Sequence, residues 1–253
     1  MARKASFPAE EYSCAQEEWI GKDYIVTPSL LKVLKNGDRI KEKNILDVGC
    51  GNGHYSWSLL NWGAKTVHGI DKSYDMIQMA SNSYSHPSLS FEVISSQYMN
   101  FYHTFDVAIA IFLFEFSENI HELRSSFTNI YNSLKETGGE LISMIPNGTK
   151  EYDPVDEEGI KFGASFTFDK TKIRYDGERM ICNYFDKKGN VVASAPVTFF
   201  FLETYEKELK RAGFKNVQFI EPIVSNYGIQ KYGEDFFQSF MNPQKCMLFV
   251  ATT

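Results

Sequence analysis

The sequence predicts an α/β protein whose core is a doubly wound parallel sheet. Short apolar runs of strand length alternate with helical patterns across residues 44–145, the first run is closed by glycines that open a helix, and the run 107–114 is apolar throughout. Strands alternating with helices pair in parallel through crossovers, and a strand covered on both faces loses the polar alternation of a half-exposed one.

Asn44-Ile45-Leu46-Asp47-Val48 is a short apolar strand ended by Gly49-Cys50-Gly51-Asn52-Gly53, after which residues 55–62 take a helical pattern. A second strand, 66–70, ends at Asp71, and a helix follows through Met76, Ile77, Met79 and Ala80. The third, 89–94, precedes the polar Ser95-Ser96-Gln97. The fourth, 105–111, is the most apolar; a helix over about 120–134 and the turn Glu136-Thr137-Gly138-Gly139 lead to the fifth, 140–145. After Pro146 the Pro, Gly and acidic residues up to about Gly159 predict a loop. Runs 164–168, 180–185 and 191–202, separated by the turns Asp176-Gly177 and Lys188-Gly189-Asn190, then predict a small antiparallel insert. The α/β pattern resumes with a helix over 204–212 stopped by Gly213, a strand at 217–221, a helix near 232–241 and a last strand at 246–252.

The 253 residues are enough for one large domain, and 43% apolar with 23% charged residues is a globular composition. A formal charge of −6, without clustered Lys and Arg, argues against a phosphate-backbone binder, so no nucleic-acid partner is expected. The eight-residue apolar run 107–114 is far too short to span a bilayer, and Glu10, Glu11 and Ser13 stand where a signal peptide needs an apolar stretch. No membrane association and a cytoplasmic location are therefore expected. Four scattered cysteines and five histidines without ligand spacing predict neither a disulfide framework nor a metal site. Phe, Tyr and Trp make up 15% of the chain, many of them after residue 160, which suggests an aromatic-lined pocket.

The most specific feature is Asp47-Val48-Gly49-Cys50-Gly51-Asn52-Gly53 at the first strand end, with Asp71 at the second. Glycines let backbone approach a ligand closely, the helix beyond offers unpaired N–H groups, and a strand-end carboxylate accepts hydrogen bonds from ribose hydroxyls. The pattern describes an adenosine-containing cofactor lying across the strand ends. A nicotinamide oxidoreductase is disfavoured, because its loop spaces glycines as GxGxxG, whereas here they run GxGxG.

Asp-x-Gly-x-Gly-x-Gly resembles the first motif of class I S-adenosylmethionine-dependent methyltransferases. The resemblance extends to Asp71, to Phe105-Asp106-Val107 and to Leu134-Lys135-Glu136-Thr137-Gly138-Gly139-Glu140-Leu141, four motifs in order over residues 44–145. It implies a Rossmann-like, seven-stranded, mostly parallel sheet with the last strand antiparallel, and S-adenosyl-L-methionine as cofactor. Carried over by position, Asp47, Gly49, Cys50, Gly51, Asn52 and Gly53 form the loop around the methionine and ribose. Asp71, with Lys72 beside it, holds the ribose; Met76 covers the adenine; Ser96 or Gln97 binds the adenine amino group, with Ser95 a third candidate; and Ile111 and Phe112 lie against the adenine and the transferred methyl. Tyr55 is placed for stacking near the sulfonium. Glu115 is the first candidate for a base or acceptor-orienting group, followed by His103 and His54.

By the same resemblance, residues 1–40, with Trp19 and Tyr24, form a helical lid over the cofactor; 41–147 form the cofactor-binding core; 148–202 form an antiparallel cap over the substrate; and 203–253 complete the core. The expected partner is a small-molecule acceptor, methylated on N or O of an aromatic or heterocyclic ring, and the expected assembly is a monomer or homodimer. Thr204-Tyr205-Glu206-Lys207-Glu208-Leu209, Ala212-Gly213-Phe214, Tyr227-Gly228-Ile229 and Tyr232-Gly233-Glu234-Asp235-Phe236-Phe237 further resemble the toxoflavin synthase-type N-methyltransferases. The alternative function is a methyltransferase-like protein that binds the cofactor without turnover, as a partner or sensor.

Overall fold

The computed structural model describes residues 8–17, 19–150, 156–169 and 171–253; residues 1–7 of the expected lid and 151–155 of the expected cap lie outside the described residues. In chain order the strands are β1 Asn44–Val48, β2 Thr66–Asp71, β3 Leu89–Val93, β4 Val107–Ile111, β5 Glu140–Pro146, β6 Ala164–Thr167, β7 Glu178–Phe185, β8 Val191–Phe199, β9 Asn216–Ile220 and β10 Cys246–Thr252. The α-helices are α1 Ala9–Glu17, α2 Thr27–Val33, α3 His54–Asn61, α4 Tyr74–Ser83, α5 Ile120–Ser133, α6 Asp156–Phe162, α7 Leu202–Ala212, α8 Asn226–Tyr232 and α9 Gln238–Met241.

Seven strands form one sheet in the order β3-β2-β1-β4-β5-β10-β9, and β6-β7-β8 form a second, antiparallel one. Pairing is parallel from β3 to β5, while β10 runs antiparallel to both β5 and β9. The predicted doubly wound sheet with an antiparallel last strand is thus the observed one. Side chains on β1, β4, β5 and β10 alternate between two buried clusters. Leu46, Ala108, Leu141 and Phe249 face the layer that includes Phe127 of α5 and Leu209 of α7. Ile45, Val107, Ile142 and Leu248 face Leu30 of α2, Leu59 of α3 and Phe240 of α9. Burial on both faces explains why these strands read as continuous apolar runs.

Ion pairs reinforce the layers. Arg124 on α5 holds the buried Glu208 of α7 through two hydrogen bonds of 2.7 and 3.1 Å. Arg39, just before β1, reaches Glu140 on β5 through contacts of 3.1 and 3.0 Å.

Three elements depart from the sequence reading. Residues up to Gly159, expected as loop, include the start of α6, whose Phe162 is fully buried and packs edge-to-face on Phe236 and Phe240 and tilted on Phe237, with centroids 5.6, 5.0 and 6.0 Å away. Tertiary burial of one aromatic at the helix end outweighs the weak local pattern. The helix expected near 232–241 is present only from Asp235, as a 3-10 turn at Asp235–Phe237 leading into α9, and an unexpected helix, α8, precedes it: Ser225 caps α8 by accepting the Gly228 N–H, and Gly233, at φ 83°, stops it. The N-terminal helical segment is interrupted, with a π-helical turn at Lys22–Val26 entering α2. Among the described residues no helix is long and apolar enough to cross a membrane.

Phe162 fixes α6, and with it the start of the small sheet, to the C-terminal aromatic cluster. Phe162→Ala is expected to cost about 3–5 kcal/mol, read as a lower urea midpoint.

Candidate functional site

The strand order reverses between β1 and β4, so the loops leaving them diverge and open a crevice at the strand ends. A cleft of about 820 Å³, including its open mouth, lies there. Gly49 takes φ 72°, and its N–H and that of Cys50 donate to the Ile70 carbonyl at 2.7 and 2.9 Å, pinning the loop to β2. A Cβ on Gly49 would sit 2.6 Å from Leu113 Cδ1, whereas one on Gly51 would meet only Met76 Sδ, at 4.0 Å. Gly51 therefore leaves a cradle of open space where a side chain would stand.

Asp71 is fixed at the edge of this cradle. The Gly51 N–H donates to its Oδ2 at 3.0 Å and the Ser73 N–H to its Oδ1 at 2.9 Å, so both oxygens are oriented and each keeps an acceptor site. Burial pushes its pKa up, against those hydrogen bonds and the neighbouring Lys72. Of the residues expected at the cofactor, Gly49, Gly51, Asp71, Lys72, Met76, Ser96, Gln97, Ile111 and Phe112 line the cleft, as does Ser95. Ser96 Oγ is engaged with Ser126 Oγ at 2.9 Å, and the Gln97 amide N–H donates to Glu122 at 3.0 Å, which leaves the Gln97 carbonyl oxygen as an acceptor. An oriented carboxylate, an apolar thioether, a free amide carbonyl and a vacant cradle fit an adenosine cofactor.

Other expected residues stand behind or away from the cleft. Asp47, 2% exposed, accepts from Ser56 Oγ at 2.5 Å and braces the start of α3; burial lifts its pKa to about 7. Cys50 is buried, Gly53 packs against Ala80 and Phe91, and Asn52 ties the loop to α1 by donating to Ser13 Oγ at 3.2 Å. Tyr55 pairs with Thr27 at 3.1 Å, and Tyr24 accepts from Lys231 at 3.1 Å. Neither ring lines the cleft. His54, whose pKa burial lowers, lies edge-on to Tyr55 rather than in the cleft. His103 is at the opposite end of the sheet: it precedes β4, its N–H donates to Asn132 O, and its ring meets Leu134 O at 2.9 Å. Proximity in sequence to the fourth strand misplaced it, because the site lies at that strand's other end.

A second pocket of about 650 Å³ adjoins the first, and Tyr12, Phe112 and Phe116 line both. Its other walls include Trp19, Phe166, Tyr184, Phe240 and Lys245. Trp19, expected at the cofactor, is placed in this pocket, packed on Phe112 with centroids 5.9 Å apart. Phe112 holds φ 52°, left-handed backbone that is costly for an aromatic residue, and its N–H donates to Met144 O at 2.8 Å. That turn aims the ring between the two pockets. Sequence reasoning missed Tyr12, on α1, and Phe166, Cys182 and Tyr184 of the small sheet; the aromatic enrichment of the chain was the one signal for the three rings, and nothing pointed to Cys182.

Glu115, in the turn after β4, also lines the second pocket. It is 4% exposed, its Oε2 has no hydrogen-bond partner, and burial raises its pKa to about 8. Its neighbours Tyr12, Cys182 and Tyr184 ionise higher still: burial pushes Cys182 to about 12 and both phenols above their usual value. Unfolding releases Glu115 to ionise near 4.5, so its protonated native form costs stability progressively between pH 4.5 and about 8. Glu115→Gln is expected to raise Tm over wild type by a margin that grows across that window and is constant above it.

Residues 45–138 match a family model described as a methyltransferase domain. A tRNA U34 carboxymethyltransferase of Cellvibrio japonicus is 52% identical over 42 residues, which are 17% of this chain and only 13% of that relative's length. An S-adenosylmethionine-dependent methyltransferase from Clostridium acetobutylicum superposes with a TM-score of 0.63 at 15% identity, covering 96% of this chain and 98% of the other. CalS10, an amino pentose methyltransferase from Micromonospora echinaspora solved with S-adenosylmethionine bound, superposes at 0.60 with 19% identity over 100% and 99% of the two chains. At these identities the structural likeness is one of fold. The family match covers the glycine loop, Asp71 and the fourth strand, so residues 45–138 carry a methyltransferase domain, within a chain that shares the fold of solved S-adenosylmethionine-dependent methyltransferases.

Proposed function

We propose that the protein transfers a methyl group from S-adenosyl-L-methionine to a nitrogen or oxygen of a small aromatic or heterocyclic molecule. The observation that carries this reading is the junction of the two pockets at Tyr12, Phe112 and Phe116, with the unpartnered Glu115 carboxylate beside it. Bound in the first cleft, the cofactor supplies an electrophilic methyl on a sulfonium. Asp71 and the Gly51 cradle hold its ribose end, and Gln97 offers its carbonyl to the adenine amino group. The aromatic walls align a flat acceptor and exclude water, and alignment accounts for much of the rate in an in-line displacement. An ionised Glu115 would accept the N–H or O–H proton that the acceptor gives up as its bond to the methyl replaces the methyl's bond to sulfur, whose electron pair stays with S-adenosylhomocysteine.

The aromatic walls of the second pocket and the net charge of −6 support a small acceptor over a nucleic acid; the tRNA-modifying relatives share too little of their length with this chain to transfer their substrate. The grouping with toxoflavin synthase-type enzymes, which would narrow the acceptor to a ring nitrogen, rests on its sequence motifs alone. Free cysteines at positions 14, 50, 182 and 246 suit a reducing, cytoplasmic setting.

Calorimetric titration with S-adenosylhomocysteine tests the cofactor site: wild type is expected to bind at micromolar affinity and Asp71→Ala about 100-fold more weakly, the loss of two charge-assisted hydrogen bonds. Unchanged affinity in the variant would remove Asp71 from the site. Binding without label transfer to any acceptor would favour the sensor alternative. With an active acceptor, kcat/KM is expected to rise with pH through about 8 as Glu115 ionises, and to be low and flat across that range in Glu115→Gln.

A further inference from the structure

The seven-stranded sheet ends on β3 at one side and on β9 at the other, and the small sheet ends on β6 and β8. An edge strand offers a row of unpaired N–H and C=O groups to any other strand, and proteins blunt such edges with charges, prolines, bulges or very short strands. Among the described strands, three of these four edges are blunted. β3 carries the exposed Glu92 within its length, β8 carries Pro196, and β6 is four residues long. β9, Asn216-Val217-Gln218-Phe219-Ile220, has no charge, proline or glycine, and its register with β10 runs without a bulge. Among the described residues, no strand pairs with its outer side.

The apolar side chains of this bare edge are incompletely covered. Val217 and Phe219 pack toward the layer of α7 and Ile220 toward the opposite one, yet all three are only half-buried, and Asn216 and Gln218 are exposed. The charges stand just beyond the two ends and have opposite signs, Lys215 before the strand and Glu221 after it. Both are exposed, and among the described residues neither has an ion-pair partner in its own chain. The Lys215 N–H donates to Thr252 O at 2.8 Å, which holds its backbone in line with the ladder. A strand with a cation at one end and an anion at the other complements itself when a second copy lies antiparallel to it.

We propose that β9 is the self-association edge of this protein: two copies pair β9 to β9, antiparallel, about a two-fold axis through Gln218. In that register Lys215 of each copy stands opposite Glu221 of the other, Asn216 opposite Ile220, and Val217 opposite Phe219. Successive side chains alternate between faces, so the ion pairs and the Val–Phe contacts fall together on the α7 face. Covering the half-exposed Val217, Phe219 and Ile220 adds apolar burial to the new ladder. The contact is isologous, so it closes at two copies and joins the two seven-stranded sheets into one. No residue of β9 lines either pocket, so pairing there leaves both sets of walls untouched.

Sedimentation equilibrium of the full chain at micromolar and higher concentrations is expected to give twice the 29.0 kDa chain mass. Lys215→Glu and Glu221→Lys each place like charges opposite one another at both ends of the seam, and each is expected to weaken association about tenfold or more. An equimolar mixture of the two variants sets opposite charges against each other again at both ends. Dimers are therefore expected to return in the mixture, and equally in the double variant Lys215→Glu/Glu221→Lys. Far-UV circular dichroism and S-adenosylhomocysteine affinity equal to wild type in every variant are the check that the fold is intact. A 29.0 kDa particle at every concentration, a dimer indifferent to the single reversals, or single variants whose mixture stays monomeric would overturn the assignment.

Discussion

The reversal of strand order between β1 and β4 is the constraint on which both pockets depend. Because neighbouring parallel strands send their crossovers to opposite faces there, neither crossover helix covers the gap, and the backbone leaving β1 and β4 lines it directly. The two exits are shaped differently. After β1 the glycines give up side chains to bring backbone to the ligand surface. After β4 Phe112 does the opposite, putting a large ring at the junction through backbone that favours glycine. A Phe in that conformation persists only where its surroundings hold it, and the hydrogen bond to Met144 and the packing on Trp19 do so.

Three carboxylates near this gap are separated in role by their partners rather than by their chemistry. Asp47 is buried with Ser56 as donor and braces the loop from behind. Asp71 is held by two backbone N–H groups that set both oxygens toward the cleft. Glu115 is the one of the three with a buried oxygen that has no partner, in a side chain that lines the second pocket; burial raises its pKa to about 8, as it lifts that of Asp47 to about 7. Divergent environments for chemically similar groups are the usual way one site assigns distinct tasks to them. The stability surrendered at Glu115 is what a carboxylate buried without a partner costs.

The sheet and the cofactor cleft were legible in the sequence because both are written locally. A strand, a glycine loop and a distant acid at a strand end lie within 25 residues, from Asp47 to Asp71, and their spacing alone fixes their geometry. What lay outside that span was harder to read. Spacing could not say which end of a strand a flanking residue occupies, and so His103, before β4, was grouped with Glu115, after it. Nor could it place Trp19, whose position depends on where the N-terminal segment packs. The helices α6 and α8 escaped the pattern because one buried Phe162 and one capping Ser225 decide them, not periodicity.

This difference in locality corresponds to a difference in function. Apart from Tyr12, the cofactor cleft is lined entirely by residues between Gly49 and Ser117, all from one side of the strand-order reversal or the other. The second pocket draws on α1 and the segment after it, the turn after β4, the end of β5, the small sheet, α9 and the start of the C-terminal strand. A surface assembled from so many separated stretches can change one wall without disturbing the others, whereas the glycine loop tolerates little, since a side chain at Gly49 would strike Leu113 and one at Gly51 would fill the cradle. The fold therefore keeps its first cleft on a short piece of chain and the second pocket on pieces that vary independently, which is how one architecture comes to carry different pockets beside a common loop.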